Sequence, residues 1–205
     1  LKKPEYWRAA CRALSRADPV MAKLIRAYPG TTLKSRGNAL ETLLRAIIGQ
    51  QISVKAADAV WARVGAATPI KPETVATLDI DTLRACGLSR MKAEYAIDLA
   101  AHFVEGRIRP HRWARMDDET IIAELSDVRG IGRWTAEMFL IFHLLRPNVW
   151  PVDDLGLLKA IALHYRDGNK IRTSEAREIG EDWQPWRTVA TWYLWRSLDP
   201  VAVEY

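Results

Sequence analysis

The sequence predicts an all-α protein made of two helical lobes with a cleft between them. Three observations carry this. Apolar residues recur at helical spacing through most of the chain, and no stretch shows the alternation of a half-buried strand. The helix-length segments are separated by short runs holding Gly, Pro or a capping residue. At 205 residues, 49% of them hydrophobic and 27% charged, the chain can build a proper core as one medium domain or two small ones.

The elements follow in order. Tyr6 to Leu14 has helical spacing. Asp18-Pro19 is a cap followed by Pro at the first helical position, and that helix stops at Tyr28, before Pro29-Gly30. Thr31 to Gly37 reads as a linker. Asn38 and Glu41 have capping-box spacing for a helix through Leu43, Leu44, Ile47 and Ile48, and Gly49-Gln50-Gln51 breaks its apolar face. Ser53 can cap a helix running to Gly65. Pro69 to Leu78 is a loop with a short helix, and Asp81 can cap another that ends at Gly87. Ser89 to Glu105 is a longer amphipathic helix closed by Gly106, and Asp117 opens the next. After Pro147 a helix is expected from Leu155 to about Tyr165. Thr173 or Ser174 caps a short one, Pro185 breaks it, and Trp186 to Leu198 forms the last. The central helices, 37–150, are expected to form one bundle, and the chain ends, 1–36 with 151–205, the second lobe.

Composition narrows the function classes. Net charge is +5 and the pI about 9.3. Residues 1–38 hold nine Lys/Arg against Glu5 and Asp18, while the remainder is nearly balanced. Such a bias suits a polyanion, and solubility alone would also explain it. Cys11 and Cys86 belong to no motif, which argues against a disulfide framework, a cysteine zinc site or an iron–sulfur cluster. No apolar run is long enough for a membrane span, and no signal-peptide pattern opens the chain. An intracellular, membrane-free protein is expected. With Leu1 in first place, the sequence is expected to begin inside a longer reading frame.

Leu125 to Glu137 is the most informative stretch. Gly130 and Gly132 bracket Ile131 between two helical patterns. Two glycines so close do not belong inside a helix. They suit a tight turn that leaves the first amides of the next helix free, a place that holds phosphate through N–H groups and the helix dipole, with Arg133 adding charge. An ordinary helical hairpin with glycines for sterics fits the spacing equally well. Asp153 and Asp154 follow an apolar Trp-Pro-Val approach and directly precede a helix. One can cap that helix, two caps are redundant, and a carboxylate left over is a catalytic candidate.

Gly130-Ile131-Gly132-Arg133-Trp134-Thr135-Ala136, followed by Val152-Asp153-Asp154-Leu155-Gly156, resembles the helix-hairpin-helix (HhH-GPD) DNA glycosylase superfamily, and most of all its 3-methyladenine DNA glycosylase II, alkyladenine-excising branch. Three further stretches are similar to that branch: Leu44 to Val54, Gly87-Leu88-Ser89-Arg90-Met91-Lys92-Ala93, and Trp183-Gln184-Pro185-Trp186-Arg187. Together they span about 38–198. The resemblance implies a compact form without the larger form's N-terminal β-domain, a hairpin motif over about 118–145, and a cleft that binds double-stranded DNA carrying alkylated bases. It implies a monofunctional hydrolase of base excision repair that releases purines of the 3-methyladenine and 7-methylguanine type. The alternative is a non-catalytic helix-hairpin-helix module that binds damaged DNA.

The family's essential aspartate falls on Asp154, which leaves Asp153 a cap or secondary charge. Trp134 stands where lyase members have their Schiff-base lysine, so no amine is offered and strand cleavage is not expected. Trp134, Trp195 and Met138 fall on base-pocket positions, Met138 replacing an aromatic residue of the larger form. Gly130, Gly132, Arg133 and Thr135 fall on backbone-gripping positions. Gln51, or Gln50 in its place, falls on the wedge that fills the gap left by an extruded nucleotide. No cofactor is required. An alkali cation, Na+ or K+, would sit at the hairpin on the carbonyls of about Ser126, Val128 and Ile131. A monomer is expected, cytoplasmic and nucleoid-associated in a bacterium or nuclear in a eukaryote.

Overall fold

Short polar side chains punctuate the chain into helices. In a computed structural model that describes residues 3–30, 32–35 and 37–199, twelve α-helices and one 3-10 helix are present, and no strand is found among the described residues. Thr31 and Arg36 of the expected linker, and the terminal positions 1–2 and 200–205, lie outside the described residues.

The chain divides into two units. The terminal unit comprises residues 1–35 and 140–205, the central unit 36–139. The central unit holds α3 (Ala39–Gly49), α4 (Val54–Ala67), α5 (Pro72–Val75), α6 (Ile80–Ala85), α7 (Arg90–Val104), a 3-10 helix (Pro110–Arg115), α8 (Asp118–Ser126) and the start of α9 (Arg133–Phe142). Asn38, Ser53 and Asp117 each accept a backbone N–H of the first turn they precede, as expected, and Ser89, expected inside α7, proves to be its cap. At α6 the cap is Asp79, not Asp81. The helix starts two residues earlier, and the Asp79 carboxylate takes the Thr82 N–H and hydroxyl at 2.8 and 2.7 Å. Leu43, Leu44, Ile47 and Ile48 of α3 and Ala93, Ala96, Leu99 and Ala100 of α7 are buried. The alanines of α7 let neighbouring helices approach closely. The 3-10 helix buries Trp113 edge-on against Phe139, with its indole N–H on Glu124 at 2.7 Å.

The terminal unit holds α1 (Trp7–Ala17), α2 (Pro19–Ala27), α10 (Leu155–Tyr165), α11 (Thr173–Glu181) and α12 (Arg187–Leu198). Thr188 to Leu194 of α12 are all buried. Trp7 meets Trp192 edge-to-face at 5.4 Å, a contact between helices remote in sequence. Asp18 closes this unit: Oδ1 caps α2, and Oδ2 accepts from Tyr165 at 2.8 Å and Trp183 at 3.0 Å. Burial first, and the hydrogen bond to Asp18 next, raise the Tyr165 phenol well above its ordinary range. Neither Thr173 nor Ser174 caps α11. Both lie at or inside its first turn, and Glu175 reaches back to the Arg172 N–H at 3.1 Å.

Residues 140–150, expected in the central bundle, cluster with the terminal unit. Their polar and aromatic partners are there: Tyr6 donates to the Leu145 carbonyl, and the Thr188 hydroxyl donates to the Arg146 carbonyl and accepts from the Val149 N–H. Trp186 stacks on Tyr6 and Arg187 donates to Asn148, so the Trp-x-Pro-Trp-Arg stretch fastens the last helix to this segment.

Candidate active site

In the terminal unit, Asp154 is the N-cap of α10. Its Oδ1 accepts the Leu157 N–H at 2.6 Å and the Trp195 indole N–H at 2.8 Å. Its own N–H is held by the Pro151 carbonyl at 2.9 Å, which closes the turn that delivers it. Pro151 and Val152 are buried, Asp153 is exposed and Asp154 is half-buried. The chain thus separates the two carboxylates: one in solvent, one fixed by a helix N-terminus and an indole. Trp195 is half-buried and lies flat on Phe142, with centroids 5.8 Å apart and planes 9° from parallel. Gly156 makes room for the pairing. A Cβ there would stand 3.2 Å from Asp154 Oδ1 and 3.5 Å from the Trp195 ring. An oriented carboxylate beside a stacked aromatic pair can stabilise a developing positive charge and receive a flat cationic ring.

In the central unit, α8 and α9 form the hairpin. The Val128 carbonyl accepts the Ile131 N–H at 3.1 Å, and Gly132 supplies the carbonyl for Ala136 at 3.0 Å. Gly130 has φ +85°, and a Cβ there would lie inside the ring of Tyr95. Gly132 is exposed with open space around its Cβ position, so bare backbone faces outward at this end of α9. Trp134 is 42% exposed, Thr135 half-buried, and Met138 buried. Arg133 is not left waiting for a phosphate. It forks onto Glu119, one bond measuring 3.0 Å, and reaches Glu137 at 3.4 Å. Glu119 is the main reason its guanidinium binds its proton more tightly than usual, and Arg133 in turn holds the Glu119 carboxyl below its ordinary range.

The two glutamines differ. Gln50 turns inward, its Nε2 donating to the Gly130 carbonyl at 2.8 Å. Gln51 is exposed, in the left-handed region at φ +59°. Helix α7 supplies contacts no sequence pattern assigned. Lys92 donates to the Ile48 and Gln50 carbonyls at 2.8 and 2.6 Å, Tyr95 underlies Gly130, Asp98 accepts the Arg129 N–H at 2.9 Å, and His102 meets Asp127 at 3.1 Å. Lys92 lies in the Gly87 to Ala93 stretch that is similar to the family, its one sequence signal. Phe142 and Glu119 carried none.

Of the expected site residues, the structure brings Asp154 together with Trp195, and Gln50 together with Gly130. Trp134, Met138, Arg133 and Thr135 belong to the central unit, Asp154 and Trp195 to the terminal one. Among the described residues no cluster of His, Cys, Asp or Glu could hold a metal, and no helix is long and apolar enough to cross a membrane.

Comparison with known proteins adds the family. The Bacillus subtilis protein YfjP is 32% identical over 194 residues, covering 87% of this chain and 66% of its own length. A DNA-3-methyladenine glycosidase from Bacillus halodurans superposes with TM-score 0.89 at 29% identity, over 97% of this chain and 93% of that one. The 3-methyladenine DNA glycosylase of Schizosaccharomyces pombe, solved in complex with abasic DNA, does so with TM-score 0.77 at 30% identity, over 96% of this chain and all of that one. Residues 44–185, which include the hairpin, Asp154 and the Trp183-x-Pro segment, match the family model for HhH-GPD superfamily base excision DNA repair proteins, and to that superfamily the chain belongs.

Proposed function

We propose that this protein is a monofunctional DNA glycosylase that hydrolyses the N-glycosidic bond of alkylated purines of the 3-methyladenine and 7-methylguanine type. The observation that carries this is the Asp154 carboxylate, fixed at the N-terminus of α10 by Leu157 and bonded to an indole stacked on Phe142.

A base inside a duplex cannot be reached, so its nucleotide is swung out at a cost of about a few kcal/mol. Gln51, exposed where Gln50 is not, fills the gap. Gly130, Gly132 and Thr135 present the start of α9 to a phosphate, a contact that reads no sequence. Arg133 joins it by exchanging Glu119 for the phosphate. An alkylated purine is cationic, and the faces of Trp195 and Trp134 attract such a ring. As the base leaves with the bonding electron pair, the sugar becomes cation-like. Asp154 stabilises that charge and takes a proton from the attacking water. Trp134 offers no amine, so no Schiff base forms and the strand stays intact.

The hairpin turn fits an alkali cation in its donor chemistry. The Gly130 carbonyl is occupied by Gln50, and the Val128 carbonyl, though engaged by Ile131, has a second lone pair. Ser126, Val128 and Ile131 would hold Na+ or K+, which supplies positional charge near the phosphate. The protein acts as a monomer on double-stranded DNA, in the compartment that holds it.

The test is incubation with methylated duplex DNA and chromatography of the released bases. Free 3-methyladenine and 7-methylguanine, with no strand nick before alkali, is the expected outcome. Tight binding to damaged DNA with no base released would establish a non-catalytic binding module instead.

A further inference from the structure

The turn after α3 and the start of α4 expose six residues in a row, Gln51 to Ala56, among them the apolar Ile52 and Val54. Which side chain of such a turn projects is a matter of backbone geometry. Helix α3 ends with carbonyls that lack helical partners. Lys92, from the first turn of α7, takes two carbonyls of this end at once, Ile48 and Gln50. A cation is favourable there, against the negative end of the helix dipole. Immediately beyond, Gln51 occupies the left-handed region, which a non-glycine residue keeps only when its surroundings enforce it. With the Gln50 carbonyl pinned, the Gln50 side chain runs to the Gly130 carbonyl in the hairpin turn and Gln51 points out. Burial lowers the proton affinity of the Lys92 amine, in keeping with a group spent on internal acceptors.

We propose that Lys92 is a positioning residue for base extrusion: by holding the Ile48 and Gln50 carbonyls it locks the turn so that Gln50 is tied to the hairpin and Gln51 projects as the wedge. This rests on the function proposed above. Lys92 touches no DNA in this scheme and acts through Gln51 alone. Turn and hairpin then move as one piece, registered on α7.

The experiment uses duplex DNA with an abasic analogue opposite 2-aminopurine, whose fluorescence rises when its stacking is disturbed by an inserted side chain. The full chain is compared with Lys92→Met, Lys92→Arg, Gln51→Ala and the Lys92→Met/Gln51→Ala pair, each first checked by thermal melting. Base release from methylated duplex is measured in parallel. Lys92→Met is expected to cut the fluorescence rise to the Gln51→Ala level and to slow base release about tenfold or more, the worth of lost charged hydrogen bonds. The double variant should fall no further than either single one, and Lys92→Arg should recover most of the signal. Should Lys92→Met not fold, Gln50→Leu, which removes the tie to Gly130, is expected to give the same loss. An unchanged signal in Lys92→Met, or losses that multiply in the double variant, overturns the proposal. If the wild type releases no base while the signal still depends on Lys92, the excision reading falls and the positioning role stands. If release is normal and the signal ignores Lys92, the positioning role alone falls.

Discussion

Replacing Asp154 with Asn removes one charge and almost nothing else. Asn is as good an N-cap as Asp, and its Oδ1 can still accept from Leu157 and from the Trp195 indole. Folding stability should therefore change by less than about 1 kcal/mol. The loss lies in the reaction. A neutral amide cannot balance a cation-like sugar, and removing a preorganised charge-stabilising group typically costs about 3–4 kcal/mol, or roughly 100- to 1000-fold in rate. Asp154→Ala is the control for structure. It gives up the cap, about 1 kcal/mol, and leaves the half-buried indole N–H without this acceptor, for about 1–3 kcal/mol more. The assay is single-turnover release of 3-methyladenine from methylated DNA, alongside thermal melting and binding to an abasic analogue. Asp154→Asn should melt with the wild type, bind the analogue, and release base at least 100-fold more slowly. Wild-type release by Asp154→Asn would refute the assignment of chemistry to this carboxylate. So would a loss of activity fully accounted for by unfolding.

Other outcomes follow from neighbouring contacts. Trp195→Phe keeps a ring against Phe142 but loses the donor to Asp154, and should lower the excision rate by about 1.5–3 kcal/mol in barrier, with little change in abasic-DNA affinity measured by titration. Glu119→Gln removes the charge that Arg133 must exchange for a phosphate, so affinity for undamaged duplex, measured by titration, should rise, while the slope of log K against log salt, which counts the phosphates neutralised in the complex, should stay at the wild-type value. Because Arg133 depresses the Glu119 carboxyl, the pair contributes stability above the ordinary glutamate range and loses it as pH falls through the depressed value; acid titration of the wild type should show this loss and that of Glu119→Gln should not. Gly130→Ala combines a left-handed φ, about 1–2 kcal/mol, with overlap on Tyr95, and should lower the melting temperature, whereas Gly132→Ala, with open space, should leave melting unchanged and weaken DNA binding.

The helices were legible because their signals are local. Asp18, Asn38, Ser53, Ser89 and Asp117 each stand directly before an apolar periodic run, and a cap needs only its own first turn. Where two candidates flank one helix start, as Asp79 and Asp81 do, local signals do not choose between them. The glycine hairpin and the Asp153-Asp154 pair stood out for the same reason of spacing, and the family resemblance rested on several such stretches in order.

Tertiary structure decided everything that depends on a partner far away in the chain. That the Asp154 carboxylate, besides capping its own helix, also meets an indole follows from Trp195, 41 positions on. That Gln51 projects while Gln50 does not follows from Lys92 and Gly130. That Arg133 is already committed follows from Glu119 on the preceding helix. Spacing along a chain determines which residues share a helix face or a turn. It carries no information on which remote donor reaches a given oxygen, because packing of the helices brings those two atoms together.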